Sequence, residues 1–155
     1  ARIQYTEQNT DDANIAVGMA DAAAANLLSD DGLGDNIGSS GVLIFKVDGE
    51  TVWRCAVEIN ATIVETQSDQ TAGGTAYQVL SILGRPVDGT NYEFFYFLND
   101  LPLTNTSNGI TRPIRHRIAY ASATEMRVVA GYAKAGSANS ETLNIDYCGF
   151  ATVRG

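Results

Sequence analysis

Lysine is nearly missing from this chain. Of ten Lys and Arg residues only Lys46 and Lys134 are lysines. Eighteen Asp and Glu outweigh them, leaving a net charge of −8 and an isoelectric point near 4.4. A chain whose main ligand is DNA or RNA carries a basic field that neutralises phosphates. One held at an anionic membrane surface carries a basic face. The acid excess argues against both. Histidine occurs once, at His116, and cysteine twice, at Cys55 and Cys148. Two separated thiols and one imidazole fall short of the ligand clusters of a zinc or iron–sulfur centre, so no metal or cofactor is expected. The sequence has no Gly-x-Gly-x-x-Gly, no phosphate-binding loop and no Gly-x-Ser-x-Gly elbow. No apolar run approaches the roughly 20 residues that span a bilayer. The start has neither the basic n-region nor the apolar h-region of a signal peptide. Ala1-Arg2 reads as a start from which the initiator methionine was removed, which implies synthesis in the cytoplasm.

What is present is a foldable chain of 155 residues, 45% of them hydrophobic. That length suits one domain burying about two-thirds of its unfolded surface. Asn, Thr, Ser, Gly and Ala supply a low-charge surface of small residues, of the kind that packs closely against neighbours.

The clearest local signal is Gly41–Ile59, GVLIFKVDGETVWRCAVEI. Asp48-Gly49 sits between two β-rich runs and favours a two-residue turn. That turn pairs Val47 with Glu50, Phe45 with Val52, Leu43 with Arg54, Ile44 with Trp53 and Val42 with Cys55. A hairpin with one wet face alternates apolar and polar residues. This one sets Leu43, Phe45, Val47 and Val52 on one face and Val42, Ile44, Trp53, Cys55, Val57 and Ile59 on the other. Both faces need cover.

Other expected strands are Thr51–Val64, Thr75–Leu83, Tyr92–Leu98, Arg112–Ala121, Met126–Ala133 and Leu143–Val153, together with Val42–Val47 of the hairpin. They are separated by turn residues, with no interleaved helices. The pattern predicts a mostly β chain, an antiparallel sandwich or jelly roll over 42–155. Residues 1–41 stand apart, with seven acids against one Arg. Within them Asp12–Leu28 places Ile15, Met19, Ala22 or Ala23, and Leu27 at helical spacing, and Asp11 or Asp12 can cap it. This predicts an acidic N-terminal arm with a short helix, or an extended arm, because Gly18 and the polar flanks weaken the helix. Ser29–Ser40 reads as a loop.

Tyr92–Leu98 repeats the two-faced pattern, with Tyr92, Phe94, Tyr96 and Leu98 against Phe95 and Phe97. A two-layer sandwich covers only one face of each sheet, so the second faces need the arm, long loops or another chain. In Arg112–Ala121 the residues Ile114, His116, Ile118 and Tyr120 oppose Arg115 and Arg117. Pro113 removes a ladder donor and places this strand at an edge.

Candidate chemistry is sparse. Most acids, including Asp48, Asp69, Asp88 and Asp100, fall at turn positions and read as solvated. Glu93 and Asp146 are the exceptions within strands. Asp30–Asn36 has a calcium-loop composition without EF-hand spacing or its closing glutamate. Cys55 and Cys148 fall among apolar strand residues and read as buried thiols, though the spacing also admits a disulfide. Asn60-Ala61-Thr62 and Asn105-Thr106-Ser107 match the glycosylation sequon and read as chance occurrences. Arg112, Arg115, His116 and Arg117 form the one basic cluster. It reads as a solvated edge that discourages stray strand pairing, or as a patch meeting the acidic 1–41 segment of a neighbouring copy.

Taken as a whole, the chain resembles virion structural proteins of tailed phages, of the capsid decoration (cement) or fibre-head type. The likeness lies in the Met-trimmed start, the polar N-terminal arm, the Ala/Gly/Thr/Asn-rich strands and the lack of a catalytic motif. It implies a non-enzymatic protein of the virion that forms a homo-oligomer, with a trimer favoured, on a larger assembly such as a capsid. No nucleic acid, membrane or cofactor is involved. The contact residues expected on this reading are Leu43, Phe45, Val47, Val52, Phe95, Phe97, Arg112, Arg115 and Arg117. A glycan- or receptor-binding head of a fibre or spike is the alternative.

Overall fold

The computed structural model describes residues 1–6, 13–21, 28, 40–47, 49–60, 62–119, 126–134 and 142–151. Among them the structure is all β. In chain order the strands are β1 (Arg2–Thr6), β2 (Ala13–Ala20), β3 (Ser40–Lys46), β4 (Val52–Ile59), β5 (Thr62–Thr71), β6 (Gln78–Pro86), β7 (Asn91–Leu98), β8 (Leu101–Pro102), β9 (Thr104–Ser107), β10 (Ile110–Pro113), β11 (Arg115–Ala119), β12 (Arg127–Lys134) and β13 (Thr142–Tyr147). One sheet runs β11-β7-β6-β1-β13, with β8 beside β7. The other runs β12-β2-β3-β4-β5, and β9-β10 is a separate hairpin. Every strand pair is antiparallel.

The two large sheets stack as a sandwich, and their facing sides make the main core. It is filled by Ile15 and Val17 of β2, Val42 and Ile44 of β3, and Trp53, Cys55, Val57 and Ile59 of β4. Ile3 and Tyr5 of β1, Leu80, Tyr96 and Ile118 close it from the other layer. Trp53 joins the layers twice. Its ring meets Tyr5 edge-on at 6.2 Å, and its Nε1 donates to Gln78 Oε1 at 3.2 Å. Full burial of such side chains is worth about 1.5–3 kcal/mol each.

The hairpin faces fall as the alternation predicts, but the register does not. Phe45 pairs with Arg54, Ile44 with Cys55, Leu43 with Ala56 and Val42 with Val57. This is a slip of two residues from the two-residue-turn register, and a slip of two keeps every side chain on its face. The connection is wider than a tight turn. Glu50 N donates to Val47 O at 3.3 Å, and Ala72 N to Thr51 O at 2.9 Å, so Thr51 is already committed to the end of β5. Asp48 lies outside the described residues.

Three expectations are corrected. Ala13–Ala20 is not helical: it is strand β2, flanked by β3 and β12. Side chains at two-residue spacing, Ile15 and Val17, enter the main core, while Ala16 and Ala20 enter a second one. Residues before 41 thus supply strands to both sheets. Thr51–Val64 is not one strand, because Asn60 turns the chain at φ 49° between β4 and β5. Arg112–Ala121 is also divided. Pro113 ends β10, and Ile114 leaves the ladder to donate its N–H to Leu103 O at 2.8 Å. As expected from Pro113, β11 is an edge strand.

Both cysteines are free, Cys55 buried and Cys148 exposed. The last strand ends at Tyr147, so Cys148 is not in the core. The possible calcium loop Asp30–Asn36 lies outside the described residues.

Candidate functional site

The expected contact residues do not form one patch. Leu43, Phe45 and Val47 are fully buried. They form the second core with Ala16, Ala20 and Ala56, and with Leu28 from the stretch between β2 and β3. The demand for cover on both hairpin faces is met from within the chain, so the contact surface read from these three is an interior one. Val52 is half-buried beside Thr71.

Phe95, Phe97, Arg115 and Arg117 come together. Opposed residues of antiparallel strands share a face. On β7 Phe95 lies between Leu83 of β6 and Arg115 of β11. Phe97 lies beside Ser81, and Glu93 between Arg85 and Arg117. This is the outer face of the β6–β7–β11 sheet, opposite the side that carries Tyr96 and His116. Leu83 is 55% exposed, and Phe95 and Phe97 are half-buried. Arg112 is elsewhere, on β10 opposite Asn105.

Charges on this face are organised around two carboxylates. Glu93 binds Arg85 at 2.7 Å and approaches Arg115 at 3.5 Å. The Arg85 guanidinium also lies 5.0 Å over the Phe95 ring, a favourable cation–π contact. Asp88 shapes the β6–β7 connection. It accepts from Thr90 N and Asn91 N at 2.8 Å, from Thr90 Oγ1 at 2.9 Å and from the Asn91 side chain. The Asn91 amide and then the Thr90 donors hold its carboxyl well below the usual range. Arg117 closes the arrangement with a 2.7 Å bond to Asp88. Asp88 is therefore no idle turn acid: it fixes the edge strand to the turn.

The sequence reading missed Leu83 and Arg85. They alternate with Leu80 and Ile82, which was a usable signal. Without the β6–β7 register nothing assigned them to the aromatic face.

His116 points inward and is buried. Its Nε2 lies 2.9 Å from Thr66 Oγ1 and its Nδ1 3.0 Å from Tyr96 Oη. Tyr96 Oη donates to Ala56 O at 3.3 Å, so it accepts from Nδ1–H, and Thr66 donates to Nε2. Burial pushes the imidazole down to about 4, which keeps it neutral near pH 7. Among the described residues no carboxylate enters this network, which ties the two layers together. Asp146 is exposed and ion-paired with Arg2 across β13 and β1. Among the described residues, no three His, Cys, Asp or Glu side chains gather in a metal-sized group.

Comparison with protein-family models, with curated proteins and with solved structures finds no match.

Proposed function

We propose that this chain is a non-enzymatic assembly protein, a virion component of the capsid-decorating kind, and that it associates through the outer face of β6–β7–β11. The observation that carries the reading is the strip Leu83–Phe95–Phe97 on a sheet whose other side is already committed to the core. Phe95 and Phe97 are half-buried, and Leu83 is 55% exposed. Aromatic and arginine side chains on one rigid sheet match the composition of contact centres between proteins. The partners are other copies of this chain, as a trimer, and a larger protein shell. The resemblance of composition to phage decoration proteins supports the shell.

Sedimentation velocity tests the reading. At micromolar concentration the chain is expected to sediment as an oligomer, and Leu83→Asp as a monomer with an unchanged circular dichroism spectrum. Leu83 is exposed, so its substitution removes little core. A wild-type chain that remains monomeric and binds no larger particle overturns the proposal.

A further inference from the structure

A second surface adjoins the aromatic strip at Arg115. The β9–β10 hairpin turns at Asn108-Gly109, both at positive φ (52° and 75°), the combination that a tight I′ turn requires. One face of the hairpin carries Asn105, Ser107, Ile110 and Arg112, since Ser107 opposes Ile110 and Asn105 opposes Arg112. With Arg115 and Asn108 these side chains line a cleft of about 360 Å³, within the size range of small-ligand sites.

The cleft walls are fixed before any ligand arrives. Gln70 bonds Thr104 twice, donating to Oγ1 at 2.6 Å and accepting from the backbone N–H at 2.8 Å. Asn105 Nδ2 donates to Gln67 O at 2.8 Å. Thr106 donates to Asp69 from its N–H and its hydroxyl, at 3.2 and 2.8 Å. The hairpin is thereby clamped to β5 along its length.

The charge of the cleft runs against that of the chain. Among the described residues two guanidiniums line it and no carboxylate does, in a protein with net charge −8. Among the described residues Arg112 has no ion-pair partner. Arg115 has only Glu93, at 3.5 Å. Guanidinium forks match a planar two-oxygen anion. The Asn105 and Asn108 amides and the Ser107 hydroxyl both donate and accept, as sugar hydroxyls do. Ile110 offers an apolar edge to ring C–H groups.

We infer that this cleft binds an acidic sugar, its carboxylate held by Arg112 and Arg115 and its hydroxyls by Asn105, Asn108 and Ser107. The test is a ¹H–¹⁵N titration of the full chain with glucuronate, glucose and inorganic phosphate. Glucuronate is expected to give saturable shifts at the Asn105 and Asn108 side-chain amides, at a Kd of order 1 mM. Glucose, lacking the carboxylate, and phosphate, lacking the ring, bind at least about tenfold more weakly, a difference of about 1.4 kcal/mol. Arg112→Gln abolishes the glucuronate shifts. Arg112→Lys weakens them, because the charge remains without the fork. Arg112 is exposed, so an unchanged spectrum elsewhere certifies the fold of each variant. Three results overturn the inference: no saturable shift with glucuronate, phosphate binding as tight as glucuronate, or full binding by Arg112→Gln. Leu83 does not line the cleft and Arg112 is not on the aromatic strip, so Leu83→Asp and Arg112→Gln test the two proposals separately.

Discussion

Gly18 sits where β2 lies against β3, opposite Leu43. A Cβ there would lie 2.0 Å from the Val42 carbonyl oxygen and 3.0 Å from Leu43 Cα. Both are backbone atoms of a buried strand, so neither yields cheaply. Gly18→Ala is expected to cost about 2–3 kcal/mol and to lower Tm by roughly 5–10 °C for a chain of this size, read by thermal denaturation. His116 makes a different residue-scale prediction. Its folded value of about 4 lies below the ordinary 6.5, so between these limits the unfolded state binds the proton and the native state does not. Native stability is therefore full above pH ~6.5 and falls as pH drops toward 4, by about 3 kcal/mol in all. The bonds of Asp88 stabilise the fold above its ordinary pKa and are lost at lower pH, so they leave this window to His116. Urea midpoints should slope between pH 6.5 and 4 in the wild type and flatten in His116→Gln. Equal slopes in both would show that the histidine is not buried neutral.

At the level of elements, legibility followed what local sequence controls. The alternation in Val42–Ile59 assigned side chains to faces correctly, because that depends only on the two-residue period. The pairing partners were misplaced by two residues because Thr51 answers to β5, a contact 21 positions away. β2 was obscured by its own packing. Its second face lies against Leu43 and Phe45 and takes Ala16, Gly18 and Ala20, and such small residues mimic an alanine-rich helix. The Asn108-Gly109 hairpin turns between the expected strands Tyr92–Leu98 and Arg112–Ala121, where only turn residues are expected. One element is incomplete. Ala1 and Leu80 exchange both backbone bonds at 2.8 Å, and Val79 O accepts from Asn99 on the other side. By alternation, the backbone groups of Ser81 and Leu83 face β7, while those of Ile82 and Gly84 face away from it. Among the described residues nothing pairs with them, and a cavity of about 440 Å³ lined by Val17, Met19, Phe94 and Cys148 lies alongside. Native-state hydrogen exchange should find the Ile82 and Gly84 amides fast and those of Ser81 and Leu83 protected. Protection of all four would mean that another strand occupies this edge.

For the whole molecule, the distribution of charge decides how copies meet. Each chain carries −8, so copies repel at low ionic strength. On the outer face of β6–β7–β11, three cations (Arg85, Arg115 and Arg117) meet two carboxylates (Glu93 and Asp88). The balance there is +1, and these charges already satisfy one another. Arg115, held only at 3.5 Å, is the loosest of these charges, and exposed ion pairs contribute at most about 1 kcal/mol each. The attraction must come from Leu83, Phe95 and Phe97, whose burial does not depend on screening at moderate salt. The two ways for copies to meet thus respond to salt with opposite sign. If the apolar strip carries the contact, screening relieves the net repulsion and self-association tightens between about 0.01 and 0.15 M salt, as the Debye length falls from about 30 to 8 Å. If Arg115 and Arg117 instead seize the acidic N-terminal residues of a neighbour, the same change loosens it. Sedimentation equilibrium across that range is expected to show tightening, and Phe97→Ser to lower affinity at every salt concentration. Loosening with salt would transfer the contact from the aromatic strip to the basic edge.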